Sequence, residues 1–189
     1  MKLSANDRTW LILIALLVIA VVFLALERAG VFTANTDEAE TVWDLTSDQV
    51  VGLRVVETAS GAATSVEKDA AGQWQVTEPF RRPAETAECI LLSSVIAGLQ
   101  VERTIEEPPE SELGAYGLIT PTYTIEVRAD DGRTRSLEVG APVGSRTYVR
   151  RAGERAVLLV YSYSIEQVTA IANNPPAAEP TPGIPVTGP

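Results

Sequence analysis

Apolar and polar positions change rhythm along the chain. From Trp10 to Leu26 stand 17 uncharged residues, almost all Leu, Ile, Val or Ala. As a helix they reach about 25 Å, near the lower limit for crossing the hydrocarbon core of a bilayer. The run is apolar on every face, unlike the one-sided stripe of a helix on a globular surface. A helix there satisfies its own backbone in lipid. The pattern predicts one transmembrane helix over residues 9–26.

Between residues 48 and 172 the periods become those of a folded domain. Val51, Leu53 and Val55 share one face of a strand, with Arg54 opposite. Ser65–Lys68 and Gln73–Thr77 follow as short strands around Ala71-Gly72, with Trp74 and Val76 facing inward. Pro83 sets a helix start, with Glu85 and Glu88 in the first turns, where the macrodipole favours acids. Cys89, Leu92, Val95, Ile96 and Leu99 recur at helical spacing and mark one buried side. Pro108-Pro109 bars any continuation.

The second half repeats the plan. Tyr123, Ile125 and Val127 alternate against Thr124, Glu126 and Arg128, Asp131-Gly132 signals a hairpin, and Leu137 and Val139 return on the core face. Thr147–Arg150 and Ala156–Val160 form a second hairpin around Gly153. Ser164, three residues before Gln167, opens a short helix as a capping box, with Ile165, Val168 and Ala172 inward. Strands, helix, strands, helix predict an α+β fold of mainly antiparallel sheet with two packed helices. The halves resemble a degenerate repeat.

Charge places these parts. Lys2 and Arg8 precede the apolar run, whereas Glu27, Asp37, Glu38, Glu40 and Asp44 follow it with only Arg28. The excess of Lys and Arg before the run predicts a cytoplasmic N-terminus over residues 1–8 and a main domain outside the cytoplasm. A cleaved signal has a shorter apolar stretch, about 7–15 residues, followed by small residues. Ala25-Leu26-Glu27 lacks the small residue at the second key position, so a retained anchor is expected. Residues 27–47 read as an acidic linker. Residues 173–189, with Pro175, Pro176, Pro180, Pro182, Pro185 and Pro189 and no aromatics, read as a disordered tail.

Composition narrows the chemistry. The 189 residues carry a formal charge of −10 and no His. The commonest general base and metal ligand is thus missing, and the acidic balance argues against nucleic acid as partner. A single Cys excludes an intrachain disulfide and any Cys-cluster metal site. No phosphate loop, dinucleotide fingerprint or nucleophile elbow occurs. No catalytic residue, metal ligand or cofactor is expected.

The order Gly72-Gln-Trp-Gln-Val-Thr-Glu-Pro79, amphipathic helix, Tyr116-Gly-Leu118 with Pro121, Asp131-Gly132, Leu137-Glu-Val-Gly140 and Tyr148-Val-Arg150 resembles a bacterial family. That family is domain of unknown function 4340, over about residues 44–172, and its usual layout also begins with a membrane helix. The resemblance carries no reaction, cofactor or catalytic residue. It implies a neighbourhood of membrane transport systems of the ATP-binding-cassette type, including ones related to gliding motility, and hence transporter subunits as partners. Many members are longer than this chain.

Each reactive residue has a plainer reading. Cys89 lies on the apolar helix stripe and acts as a small hydrophobe. The acidic run Glu102, Glu106, Glu107, Glu110 and Glu112 lacks the turns and carbonyl donors of a calcium loop and reads as a solvated loop. Ser65-Val-Glu-Lys68 matches a Ser-x-x-Lys spacing on a strand, without companion motifs. Arg146, Arg150, Arg151 and Arg155 form the one local basic concentration, beside Arg128, Arg133 and Arg135. These four arginines are the candidate interaction surface, for anionic headgroups, an acidic partner or an acidic polymer. The alternative is cross-strand pairing with Glu126, Glu138 and Glu154. The expected function is a non-catalytic accessory or scaffolding module of an envelope or transport system. Its rivals are a solute- or envelope-polymer-binding module and a carboxylate-dependent hydrolase.

Overall fold

The computed structural model describes residues 40–179. The expected span over residues 9–26 and most of the linker lie outside the described residues. Among the described residues no helix is long and apolar enough to cross a membrane.

Nine strands form one antiparallel sheet: β1 (Val50–Glu57), β2 (Ala63–Lys68), β3 (Trp74–Glu78), β4 (Arg82–Pro83), β5 (Val101–Ile105), β6 (Tyr123–Ala129), β7 (Thr134–Val143), β8 (Arg146–Arg151) and β9 (Val157–Tyr161). Their order is β4-β3-β2-β1-β6-β7-β8-β9-β5. Two helices follow the two runs of strands: α1 (Thr86–Ala97) after β4 and α2 (Ser162–Thr169) after β9. The fold is α+β, as the patterning predicts. Each half is a meander followed by a helix, and the first strands of the two halves, β1 and β6, pair at the centre.

Alternation builds the core. Leu53 and Val55 of β1 lie opposite Val127 and Ile125 of β6 and opposite Val66 and Thr64 of β2, and all are buried. Trp74, Val76, Leu137, Val139, Val149, Leu158 and Val160 extend this face across the sheet. Cys89, Leu92 and Ile96 of α1 and Ile165 and Val168 of α2 close over it. Val51 is displaced from its expected place. A bulge between Val50 and Gly52 puts Val50 in the core instead, because an extra residue inverts the alternation.

Both helix starts differ from expectation. Pro83 belongs to β4, and α1 begins three residues later behind Glu85. Ser164 is not a cap: α2 already starts at Ser162, whose hydroxyl hydrogen-bonds Thr147 at 2.8 Å. Glu102 lies in β5 rather than in a solvated loop, and residues 110–112 form a short 3-10 turn.

The domain is also longer than residues 48–172. Val42 and Trp43 are core residues, at 1% and 7% exposure. Val42 N–H donates to Leu99, Val101 N–H donates to Glu40, and Arg151 Nε donates to the Val42 carbonyl at 2.6 Å. At the other end, Pro176 is buried and Ala177 bridges Ala84. Residues 40–47 are thus part of the fold rather than linker, and 175–178 part of the fold rather than tail.

The opposite face of the sheet divides in two. On β1, β2, β3 and β6 it carries ion pairs: Arg54 with Glu78 (2.9 Å) and Glu126 (3.6 Å), and Arg128 with Glu67 (3.0 Å). Arg128 reaches Glu67 by lying over Gly52, which has no side chain to obstruct it. On β7 and β8 the face is covered by the connection from β5 to β6. Tyr116 packs on Tyr148 with ring centroids 4.7 Å apart, and Ala141 N–H donates to the Tyr116 carbonyl at 2.8 Å. Leu118 is buried there, at 1% exposure. This crossing demands glycine: a Cβ at Gly140 would stand 2.1 Å from the Tyr116 carbonyl oxygen, and one at Gly117 2.6 Å from Ala141 N.

Two stability outcomes follow. Trp43→Ala should cost roughly 3–5 kcal/mol in urea unfolding, the usual range for emptying a large core site. A loss near zero would place residues 40–46 outside the cooperative unit. Gly140→Ala should cost roughly 2–3 kcal/mol through overpacking against backbone. Gly132→Ala, at φ 77° with open space around it, should cost only about 1 kcal/mol. Equal losses would remove the close approach as the cause.

Candidate functional site

The four arginines of the basic hairpin do not share one surface. Arg146 and Arg150 lie on the face of β8 that carries Tyr148, away from the helices. Arg151 points to the helix side, opposite Leu137, and Arg155 lies in the turn before β9. Three of the four have partners. Arg146 pairs with Glu102 through Nε at 2.6 Å and through Nη2, and its guanidinium sits 5.6 Å from the centre of the Tyr161 ring. Arg150 holds Glu138 at 2.7 Å and reaches the Leu118 carbonyl at 3.4 Å. Arg151 binds Val42 and, at 3.0 Å, Glu154. Two of these acids, Glu138 and Glu154, are the ones expected from cross-strand pairing, whereas Glu126 serves Arg54. Arg155 is exposed without an ion-pair partner among the described residues.

Arg150 and Arg155 share a groove of about 340 Å³ between the crossing loop and the β8–β9 turn, lined also by Glu107, Glu110, Glu154 and Leu113. Its charges are mixed, so it presents no net field for an anion. A general acid would need a carboxyl raised towards neutrality by burial or by a like charge. Every described carboxyl that departs from its ordinary value moves the other way. Glu102 is lowered by the Tyr161 hydroxyl and then Arg146, and Glu57 by the Ser60 hydroxyl. Asp69 is lowered by the Gln73 N–H, and Asp131 by the Arg133 N–H. These are ion-pair and turn carboxylates.

Other reactive groups are occupied structurally. Burial, then Glu88 and Glu85, push the Cys89 thiol up to about 12, the opposite of an activated nucleophile. Lys68 Nζ stands 5.1 Å from the centre of the Trp74 ring. Ser65 lies opposite Arg54 and Lys68 opposite Trp74, so the Ser-x-x-Lys pair points to two faces of the sheet. Among the described residues no group of three His, Cys, Asp or Glu is placed to hold a metal.

A surface outside the sequence-derived candidates has a clearer character. The outward side of α1 carries Ala87, Ile90, Leu91 and Ser94, and no charge. Ile90 and Leu91 are each 54% exposed. Periodicity marks the buried stripe of this helix. The signal for its outward side is the scarcity of charge, since Glu88 is the only charged residue between Thr86 and Gly98. Exposed apolar residues grouped on one uncharged side of a helix mark a contact surface.

The geometry defines an α+β domain on one antiparallel sheet, with two helices over one face and a crossing loop over part of the other. The chain belongs to the family described as Domain of unknown function (DUF4340), whose model matches residues 74–174, more than half of the chain. No curated protein and no solved structure matches it. The matched region starts at β3 and ends just before Pro175.

The pH response follows from these groups. A carboxyl whose folded pKa is lowered stabilises the fold above its unfolded pKa, and that contribution is lost as pH falls through the folded value. With no His in the chain, no side chain of ordinary pKa titrates between pH 5 and 8. The melting temperature should therefore be flat from pH 6 to 8 and fall below about pH 4. A stability transition centred near pH 6–7 in a thermal melt would contradict this assignment.

Proposed function

We propose that the protein is a membrane-anchored, non-catalytic accessory module that docks another component of an envelope or ATP-binding-cassette-type transport system from outside the cytoplasm. The uncharged outward side of α1, with Ile90 and Leu91 half exposed, is the observation that carries this reading. Helices that lie on lipid headgroups place Lys or Arg beside the apolar stripe, and α1 has neither. The chemistry of the face therefore suits an apolar protein surface. The apolar run from Trp10 to Leu26, with Lys2 and Arg8 before it and acids after, supports the anchor and its orientation. Tethering raises the effective concentration of the domain for a neighbour in the same membrane, so a modest face suffices. The family's resemblance to neighbours of transport systems supplies the partner class.

A second reading uses the groove beside Arg150 and Arg155, where the Arg155 guanidinium, without an ion-pair partner among the described residues, offers one local contact to an anionic group of a solute or polymer, although the mixed lining adds no wider attraction. A thermal-shift panel of anions and anionic sugars separates it from docking: stabilisation abolished by Arg155→Ala belongs to the groove alone.

Recovery of the intact chain from detergent extracts should bring a membrane protein with it. The paired substitution Ile90→Glu and Leu91→Glu should reduce that recovery at least tenfold while leaving the melting temperature unchanged. Equal recovery by both forms would remove the α1 face, and recovery of this chain alone would remove the docking reading.

A further inference from the structure

The outer edge of β4 is filled by the chain's own C-terminal segment. Ala177 bridges Ala84, Glu85 N–H donates to the Pro176 carbonyl at 2.8 Å, and Ala178 N–H donates to the Pro83 carbonyl at 3.0 Å. Ala84 N–H turns the other way, to Trp74 at 3.0 Å. Residues 176–178 therefore act as one more antiparallel strand beyond β4.

The ladder is held at two bonds by its composition. Pro83 and Pro176 have no N–H, so neither pairing flanking Ala84–Ala177 gains its second bond. Pro176 is buried, and Ala177 packs against the core beside Ala84. Asn173 and Asn174, exposed before Pro175, join the segment to the end of the helical region. The family match stops at Asn174, so the strap lies just outside the matched region that the sheet from β3 onward shares. Two backbone bonds and one small buried proline give a shallow, short-range attachment to a sheet edge.

We propose that the outer edge of β4 is a strand-addition site for an extended, proline-led segment of a partner protein, held closed in cis by residues 175–178. The edge asks little of an occupant. It takes a carbonyl for Glu85 N–H, supplied by a proline, a small side chain over Ala84, and an N–H for the Pro83 carbonyl. Main-chain bonds would provide the affinity, and the proline and small side chain the selectivity, as in other strand-addition sites. The cis strap sets a threshold, since a competing segment must displace an intramolecular one. This site is separate from the outward side of α1, and neither reading depends on the other.

The test uses the intact chain. Ala178→Pro removes the N–H that reaches Pro83 and should loosen the strap. Glu85 N–H exchange should then quicken at least tenfold, with Ala84 N–H, bonded inside the sheet, unchanged. A labelled peptide of the sequence Asn-Asn-Pro-Pro-Ala-Ala-Glu should bind this variant at least tenfold more tightly than the unaltered chain. N-methylation of its second Ala, which removes the same donor, should abolish binding. Equal quickening at Ala84 would make the strap an integral strand and overturn the proposal. Equal peptide affinity for both forms would overturn it too. So would a dimer that forms without binding peptide, since the edge would then accept only a second copy's strap.

Discussion

The pairing of β1 with β6 holds the two halves together. Each half alone is a meander of four strands with one apolar face, the second extended by β5 beside β9. Joined at Leu53–Val127 and Val55–Ile125, they make a face wide enough for α1 and α2 to cover together. A single hairpin is marginal in water, whereas several strands backed by a helix are not. The pairing also brings together residues more than sixty positions apart, and it sets the register of every strand outside it. Because the side-chain period is two, a slip of one residue at this seam would set Val55 beside Glu126 and Ile125 beside Arg54, so the apolar faces of the two halves would no longer be continuous.

That constraint explains the division of polar groups between the faces. On the helix side Arg151 is met by the Val42 carbonyl and Glu154, Lys68 by the Trp74 ring, and Arg135, opposite Val127, by Asp131 at 3.2 Å through one of its amino groups. The opposite side carries the ion pairs of Arg54 and Arg128 on β1, β2, β3 and β6. Under the crossing loop it changes to aromatic and glycine contacts, because backbone packs on backbone there. The arginines of β8 are held by this scheme: they fix Glu102, Glu138 and the crossing loop. All three are therefore less available as a binding surface than their sequence density suggests. Exposed pairs of this kind contribute little stability each, and their effect is on register and local geometry.

Legibility followed the strength of the local signal. Tyr123–Val127 alternates strictly over five residues, and Asp131-Gly132 fixes its turn, so β6 and β7 were readable. β5 is Val-Glu-Arg-Thr-Ile with a bulge between Val101 and Arg103, which breaks the alternation that would reveal it. β4 is two residues long and contains a proline, so only its neighbour β3 identifies it as a strand. Val42 and Trp43 are two apolar residues in an Ala, Thr and acid-rich stretch, and their burial depends on Leu99 and Arg151, distant in sequence. The start of the proline-rich tail misled for the opposite reason. Its composition forbids a core of its own, yet Pro176 and Ala177 need none, because they borrow one. Of the site, the inward stripe of α1 could be read from spacing, while the partners of Arg146, Arg150 and Arg151 required the strand order.

The two ends of the described chain obey one rule. At each, a short extended segment lies antiparallel beside an edge of the sheet: residues 40–42 beside Leu99–Val101, and residues 176–178 beside Pro83–Glu85. Sheet edges left bare invite association with other chains, and proteins commonly cover them with short or proline-bearing pieces. The two covers differ in depth. Val42 and Trp43 drive into the core, and Arg151 holds the chain from the sheet, so the first cover is part of the fold's foundation. The second rests on two hydrogen bonds and two small apolar residues, Pro176 and Ala177. Anchoring one cover in the core and the other by a light strap separates the cover on which the fold depends from the one that the proposed exchange would use.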